Sequence, residues 1–290
     1  MTQPRIGIIG GSGLYQMAGF VVRETKRLDT PFGEPSDAYV IGELSGRPVV
    51  FLPRHGQGHR ISAPFVNYRA NVFGMKLLGV EKILSVSAVG SLKEQYHPGH
   101  VVAVDQFIDR TKQRKSTFFD EAGLTAHILL AEPVCSGLAK TLFQAAKEAG
   151  AQAHEGGTYL CIEGPQLSTK AESFLYRSWG ADVIGMTNAT EARLAREAEI
   201  CYATIALVTD YDCWRESEEA FSAEKIVATF KQNVEAAQKI LKLAVAGLDK
   251  QPDDCSCRHA LEGAIITRGE AIDEAVRRKL EPLVGRFFKE

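Results

Sequence analysis

The residues best suited to chemistry in this chain of 290 sit at the exits of short apolar runs. Arg54 and His55 follow PVVFLP in the segment PRHGQGH. A guanidinium fork offers bidentate donors matched to phosphate, and an adjacent imidazole adds a hydrogen bond or a proton. His55 and His59 also stand four apart, a metal-ligand spacing, but Gly56 and Gly58 argue against the helix that would align them. In GIIGGSGL (7–14) the glycines free backbone N–H groups for an anion, and Ser12 adds a hydroxyl. Read as a dinucleotide fingerprint, the loop puts Gln16 where a small residue is required, and no G-K-[ST] follows for a P-loop. In SVSAVGSL (85–92), Ser87 offers a hydroxyl and Ala88 an N–H to the same anion, though small residues at a strand end also serve packing. Ser168 and Thr169, after Gly164-Pro165, are explained equally by helix capping. Asp210 and Asp212 close CYATIALV and lie on one side if the strand continues. Two carboxyls in a partly dry cleft perturb each other, so one can keep its proton and donate it. Metal binding or helix capping by this pair are the rival readings, and no other acidic cluster completes an oxygen-ligand set.

The elements that must position these residues alternate in type. Strands are predicted at 5–10, 38–42, 48–53, 82–88, 100–108, 157–163, 182–186 and 201–209, several of them continuous and β-branched, as in strands covered on both faces. Helices are predicted at 64–78, 136–149, 170–179, 190–199 and 222–246, the last with Ile226, Phe230, Val234, Ala237 and Leu241 on one stripe. The residues after Gly13 read as a loop and a further strand. The pattern implies one α/β domain, with a central mixed β-sheet flanked by helices, over residues 1–250. Residues 251–290 read as a linker, QPDDCSCR, and a C-terminal helical appendage with Ile272, Val276 and Leu280 on one face before Pro282. Such an appendage can dock on the main domain or on a neighbouring subunit.

Charge narrows the partners. With 36 acidic and 34 basic residues the net charge is −2, so no sign excess exists to hold nucleic acid or a membrane surface. Apolar residues at 45 % and charged ones at 24 % fit an ordinary globular protein. The start MTQPRIGIIGG has no signal-peptide core, and no run is long enough to span a bilayer, so a cytoplasmic location is expected. Six cysteines are too few for a disulfide scaffold.

Taken together, these segments resemble the 5′-methylthioadenosine phosphorylase branch of the trimeric purine nucleoside phosphorylases, over roughly residues 5–245. The resemblance rests on GIIGGSGL, DTPFGEPSD (29–37), RHGQGH, GSL (90–92), DQFIDRT (105–111), AEP (131–133), IEGPQLSTKAESFLYRSWGADVIGMT (162–187) and ALVTDYDCW (206–214), in order and at similar spacing. It implies a pentosyltransferase in which phosphate attacks C1′ of a purine nucleoside, serving purine and methionine salvage. The phosphate then lies among Ser12, Arg54, His55, Ser87, Ala88 and Thr187. Met186 flanks the ribose, Ser168 and Leu167 lie near the purine, and Asp210 and Asp212 read the base, the acid pair favouring a 6-aminopurine. His55, Asp210 and Asp212 are thereby the expected catalytic residues.

His59 and His127 match positions near the 5′ end of the sugar. Phe221, Ala223, Ile226 and Val227 match a methylthio pocket, although Ile226 and Val227 read equally as core. The chain departs from the family pattern at Leu167, at Gly185 in place of a larger polar residue, at Ala223, and in TNATEARL, which lacks a proline before Glu191. Methylthioinosine or a broader range of purine nucleosides are the alternative substrates, and a non-catalytic nucleoside sensor is the rival of another class. The resemblance implies no metal or organic cofactor and a homotrimer or a dimer of trimers. It also connects Cys255-Ser256-Cys257 to family tails that form disulfides, with Cys135 or Cys201 as candidate partners; free surface thiols are the other reading.

Overall fold

The structure, a computed structural model, describes residues 5–11, 14, 17–215, 223–248 and 255–288. β1 (Ile6–Gly10), β2 (Phe20–Lys26), β3 (Tyr39–Leu44) and β4 (Arg47–Pro53) come first. α1 (Tyr68–Leu77), β5 (Lys82–Ser91), β6 (Val101–Ala103) and β7 (Gln106–Asp109) follow, then α2 (Ser136–Glu148), β8 (Ala153–Glu155) and β9 (Thr158–Cys161). α3 (Lys170–Ser178), β10 (Val183–Gly185), α4 (Asn188–Glu197), β11 (Cys201–Tyr211), α5 (Ala223–Gly247) and α6 (Glu274–Val284) complete the chain. All eight predicted strands and five predicted helices are present. The segment 100–108 divides into β6 and β7, 64–78 begins as a 3₁₀ turn at Ala63–Phe65, and the C-terminal helix runs through Pro282 instead of ending before it.

The strands form one mixed sheet in the order β2-β3-β4-β1-β5-β10-β9-β7, with β11 on β5 and β6 and β8 beyond it. Alternating side chains feed two layers. Ile6, Ile8, Leu84, Ala203 and Ile205 pack with Leu138 and Leu142 of α2 and Leu241 and Val245 of α5. Ile9, Ile83 and Tyr202 pack with Val72 and Met75 of α1 and Leu194 of α4. Leu261, Ile272, Leu280 and Leu283 join that second cluster, so the C-terminal segment docks on the body of its own chain.

β5 is where the sheet forks. β1 pairs with it in parallel from Lys82 to Ser85, and β10 pairs antiparallel at Gly90 and Ser91. Between these, residues 86–89 have no strand neighbour on that edge among the described residues, while β11 continues along the other edge. β1 ends by giving the Gly10 carbonyl to the Arg54 N–H at 2.9 Å. Among the described residues no helix is long and apolar enough to cross a membrane.

Candidate functional site

A cavity of about 400 Å³ opens at this fork. Its floor is residues 86–90 of β5, where Ala88 is exposed in an otherwise buried strand. The carboxyl ends of the parallel strands converge on it, the usual ligand position in α/β sheets. Gly11 and Leu14 follow β1, Arg54 and His55 follow β4, and β11 contributes Leu207, Thr209 and Asp210 with Asp212 just beyond its end. Asn233, Val234 and Ala237 of α5 close one wall, and Asn233 Nδ2 donates to the Val208 carbonyl at 3.0 Å.

At one end the charged groups are tied into a network within the chain. Arg54 is 1 % exposed, and its fork grips Glu191 rather than projecting free into the cavity. Nη2 also donates to Ser85 Oγ at 2.7 Å and Nη1 to the Val86 carbonyl at 2.9 Å. Of the five N–H donors of a guanidinium, these bonds occupy four, leaving one on Nη1. Glu191 also accepts from Ser85 Oγ and Tyr202 OH. Burial alone pushes the Glu191 carboxyl up, but the Arg54 charge and these donors hold it below its ordinary range. His55 Nδ1 lies 2.8 Å from the Ile61 carbonyl, so the neutral ring carries its hydrogen there and presents Nε2 as an acceptor. Burial, reinforced by the Arg54 charge, lowers its pKa to about 4. The His59 ring stacks on it at 4.2 Å.

Sequence reasoning missed Tyr159, which is fully buried on β9. Its hydroxyl accepts from the Thr187 N–H at 3.4 Å and lies 3.3 Å from Ser87 Oγ, whose own hydrogen is directed to the Ala88 carbonyl. A Cβ at residue 185 would stand 2.0 Å from that hydroxyl. Gly185 is therefore the space that Tyr159 fills, which gives the departure at 185 a physical reason. The signal available in the sequence was this glycine two residues before Thr187.

At the other end several polar groups have no internal partner. Asp210 is held by Thr209 Oγ1 through Oδ1. Burial raises its pKa, with the Asp212 charge adding and the Thr209 hydrogen bond opposing. The ladder shifts register between Val208 and Asp210, and Asp212 lies just past the strand, so a bulge brings both acids to the cavity in place of a continuous strand. Asp212 Oδ2 and Ser168 Oγ here, like Thr187 Oγ1 at the anion end, are buried with no hydrogen-bond partner among the described residues. Leu167 stands at the rim, 77 % exposed. Met186 lines the cavity while its carbonyl is held by Arg114 Nη1 at 2.8 Å, and Arg114 is anchored in turn by Glu163. Arg114 and Glu163 were likewise not singled out in the sequence.

Residues 5–246 match the family model described as the phosphorylase superfamily. Relatives include the S-methyl-5′-thioadenosine phosphorylases of Koribacter versatilis and Geobacter sulfurreducens. They are 55 % and 54 % identical, over 99 % and 97 % of this chain and 98 % of each relative. The chain belongs to the phosphorylase superfamily, on its methylthioadenosine phosphorylase branch. A solved methylthioadenosine phosphorylase from an antarctic soil metagenomic library superposes with TM-score 0.93 at 48 % identity, covering 98 % of this chain and 99 % of that one. A mutant adenosine/methylthioadenosine phosphorylase of Schistosoma mansoni, in complex with methylthioadenosine, gives 0.81 at 37 % identity, covering 86 % and 93 %.

Within this phosphorylase fold, the cavity gathers Arg54, His55, His59, Ser87, Ala88, Leu167, Ser168, Met186, Thr187, Asp210 and Asp212. His127 is not among the lining residues. Its N–H donates to the Ala264 carbonyl, at the seam where Ala126 bridges Ile265 of the C-terminal segment. Ser12 and Phe221, and the side chains of Ala223, Ile226 and Val227, lie outside the described residues.

Proposed function

We propose that this chain catalyses phosphorolysis of 5′-methylthioadenosine to adenine and 5-methylthioribose 1-phosphate. The observation that carries the reading is that the anion cluster and the acid pair face one cavity. A phosphate oxygen forms its bond to C1′ as the C1′–N9 bond breaks, and the electron pair leaves with the purine. Positive charge grows on the ribose beside the phosphate, and negative charge on the base beside Asp210. Burial raises the Asp210 pKa and so favours the protonated form that donates to N7. The His55 acceptor takes the remaining hydrogen of the phosphate, and Ser87 Oγ, the Ala88 N–H, Thr187 Oγ1 and the spare Arg54 N–H take its oxygens, with Ser12 as a further donor. Ser168 and Asp212 serve the base edge, Leu167 its face, and Met186 the ribose. His59, Ile226 and, in the assembly, His127 serve the 5′ end.

Phosphate is the co-substrate, and the reaction needs no metal or organic cofactor. The same proposal takes the active form to be a cytoplasmic homotrimer. Phe65 and Leu129, 79 % and 87 % exposed, are side chains that association would cover. The deciding experiment follows the ultraviolet change on base release from methylthioadenosine with and without phosphate. Release that depends on phosphate supports the reading. Release without phosphate indicates a hydrolase, binding without release indicates a sensor, and faster release from methylthioinosine moves the substrate to a 6-oxopurine.

A further inference from the structure

Four of the six cysteines meet at one point remote from the cavity. Cys135 caps the N-terminus of α2, Cys201 opens β11, and Cys255 and Cys257 sit at the 3₁₀ turn Ser256–His259. Three are buried and Cys255 is half-buried, and none lines the cavity. Their sulfurs all lie within 4.8 Å of one another, with Cys135 Sγ and Cys255 Sγ 3.7 Å apart. A disulfide needs about 2.05 Å between sulfurs. A tetrahedral zinc ion with Zn–S bonds of about 2.3 Å spaces its four sulfurs about 3.8 Å apart.

The surroundings suit bound thiolates. Cys135 stands at the N-cap position of α2, beside the positive end of that helix. A helix N-terminus offsets part of the negative charge that four thiolates leave after one divalent ion is counted. The shell beyond is apolar, from Leu138, Leu142, Ala203 and Leu248. Four protein ligands leave no open position, which is the pattern of a structural zinc site and not a catalytic one.

We propose that Cys135, Cys201, Cys255 and Cys257 bind one zinc ion that clasps the C-terminal segment to the α2–β11 junction. Four thiols each release a proton to solvent, four Zn–S bonds form, and no redox change occurs. This departs from the sequence expectation that no metal is held, and it does not depend on which nucleoside the cavity accepts.

The test is elemental analysis of the full-length protein purified with reductant and without chelator. One zinc per chain is expected, falling to background in Cys255→Ser/Cys257→Ser and unchanged in Cys213→Ser. Stripping the metal with a mercurial lowers the melting temperature by roughly 5 °C or more, and refilling with Co(II) gives the intense visible bands of tetrahedral cobalt thiolate. Should the double variant fail to fold, Cys255→Ser alone still reads the site, because loss of one sulfur weakens and blue-shifts those cobalt bands. The proposal is overturned by reduced apoprotein that takes up no stoichiometric zinc, or by zinc that persists in the double variant. Thiol titration that shows the four sulfurs paired as disulfides, with no metal present, overturns it equally.

Discussion

The two ends of the cavity are built on opposite plans. At the anion end, Arg54, Glu191, Ser85 and Tyr202 bond to one another inside the chain, Asn188 Nδ2 donates to Ser85 and Tyr202, and Tyr159 holds Ser87 and the Thr187 N–H. Among the described residues, Thr187 Oγ1 and Asn188 Oδ1 are the groups there without a partner. At the base end, Asp212 Oδ2 and Ser168 Oγ have no internal partner among the described residues, and Leu167 is largely exposed. The anion end is preorganised, so binding there costs little reordering. The base end leaves its hydrogen bonds for a ligand, and a ligand that cannot supply them leaves buried groups unpaired. Affinity is rooted at one end and selectivity at the other.

The largest effect is expected at the anchored end. Arg54→Ala leaves Glu191 buried without its cation, a loss of about 3–5 kcal/mol in stability, together with a steep rise in the phosphate concentration needed for turnover. Thermal melts and phosphate titrations check both, and an unaltered phosphate requirement breaks the assignment of that end. Next comes Asp210→Asn, for which a rate loss of roughly 10²–10⁴-fold is expected with adenine nucleosides and a smaller one with hypoxanthine nucleosides. Equal losses on the two bases would remove Asp210 from base reading.

The third effect concerns pH. The folded His55 has its pKa lowered from 6.5 to about 4. As pH falls through that window the unfolded imidazole takes a proton before the folded one, so stability is lost from pH 6.5 down to about 4. His55→Gln is expected to remove roughly 3 kcal/mol of that acid sensitivity at most; denaturant titrations at pH 7 and pH 4 measure it, and an unchanged difference refutes it. The smallest effect is Tyr159→Phe, expected to raise the phosphate KM roughly 2–10-fold with little change in kcat. An effect on kcat alone would place the hydroxyl outside anion binding.

The sequence made the exits of the apolar strands legible, because PVVFLP and CYATIALV carry their chemistry immediately after the strand and need no tertiary knowledge. Arg54, His55, Asp210 and Asp212 were readable for that reason. Arg54 also shows where local reading stops: a cation beside a histidine looks free in one dimension, and its engagement by Glu191, 137 residues away, exists only after α4 packs on the sheet. Tyr159 was opaque because a tyrosine in TYLC reads as a strand aromatic until Gly185 is placed against it. β8, three residues long, carries too few side chains to show a period. His127 matched a string but is held beside the C-terminal segment, a placement that resemblance along one chain does not encode.

The fork at β5 sets a conflict between folding and turnover. Were the β1 pairing to extend beyond Ser85, or β10 to reach back past Gly90, the ladder would gain hydrogen bonds and the opening between them would zip shut. A stabilising change at this edge is thus an inactivating one. Selection for a tougher enzyme is steered away from the central sheet, toward the helices and the C-terminal clasp.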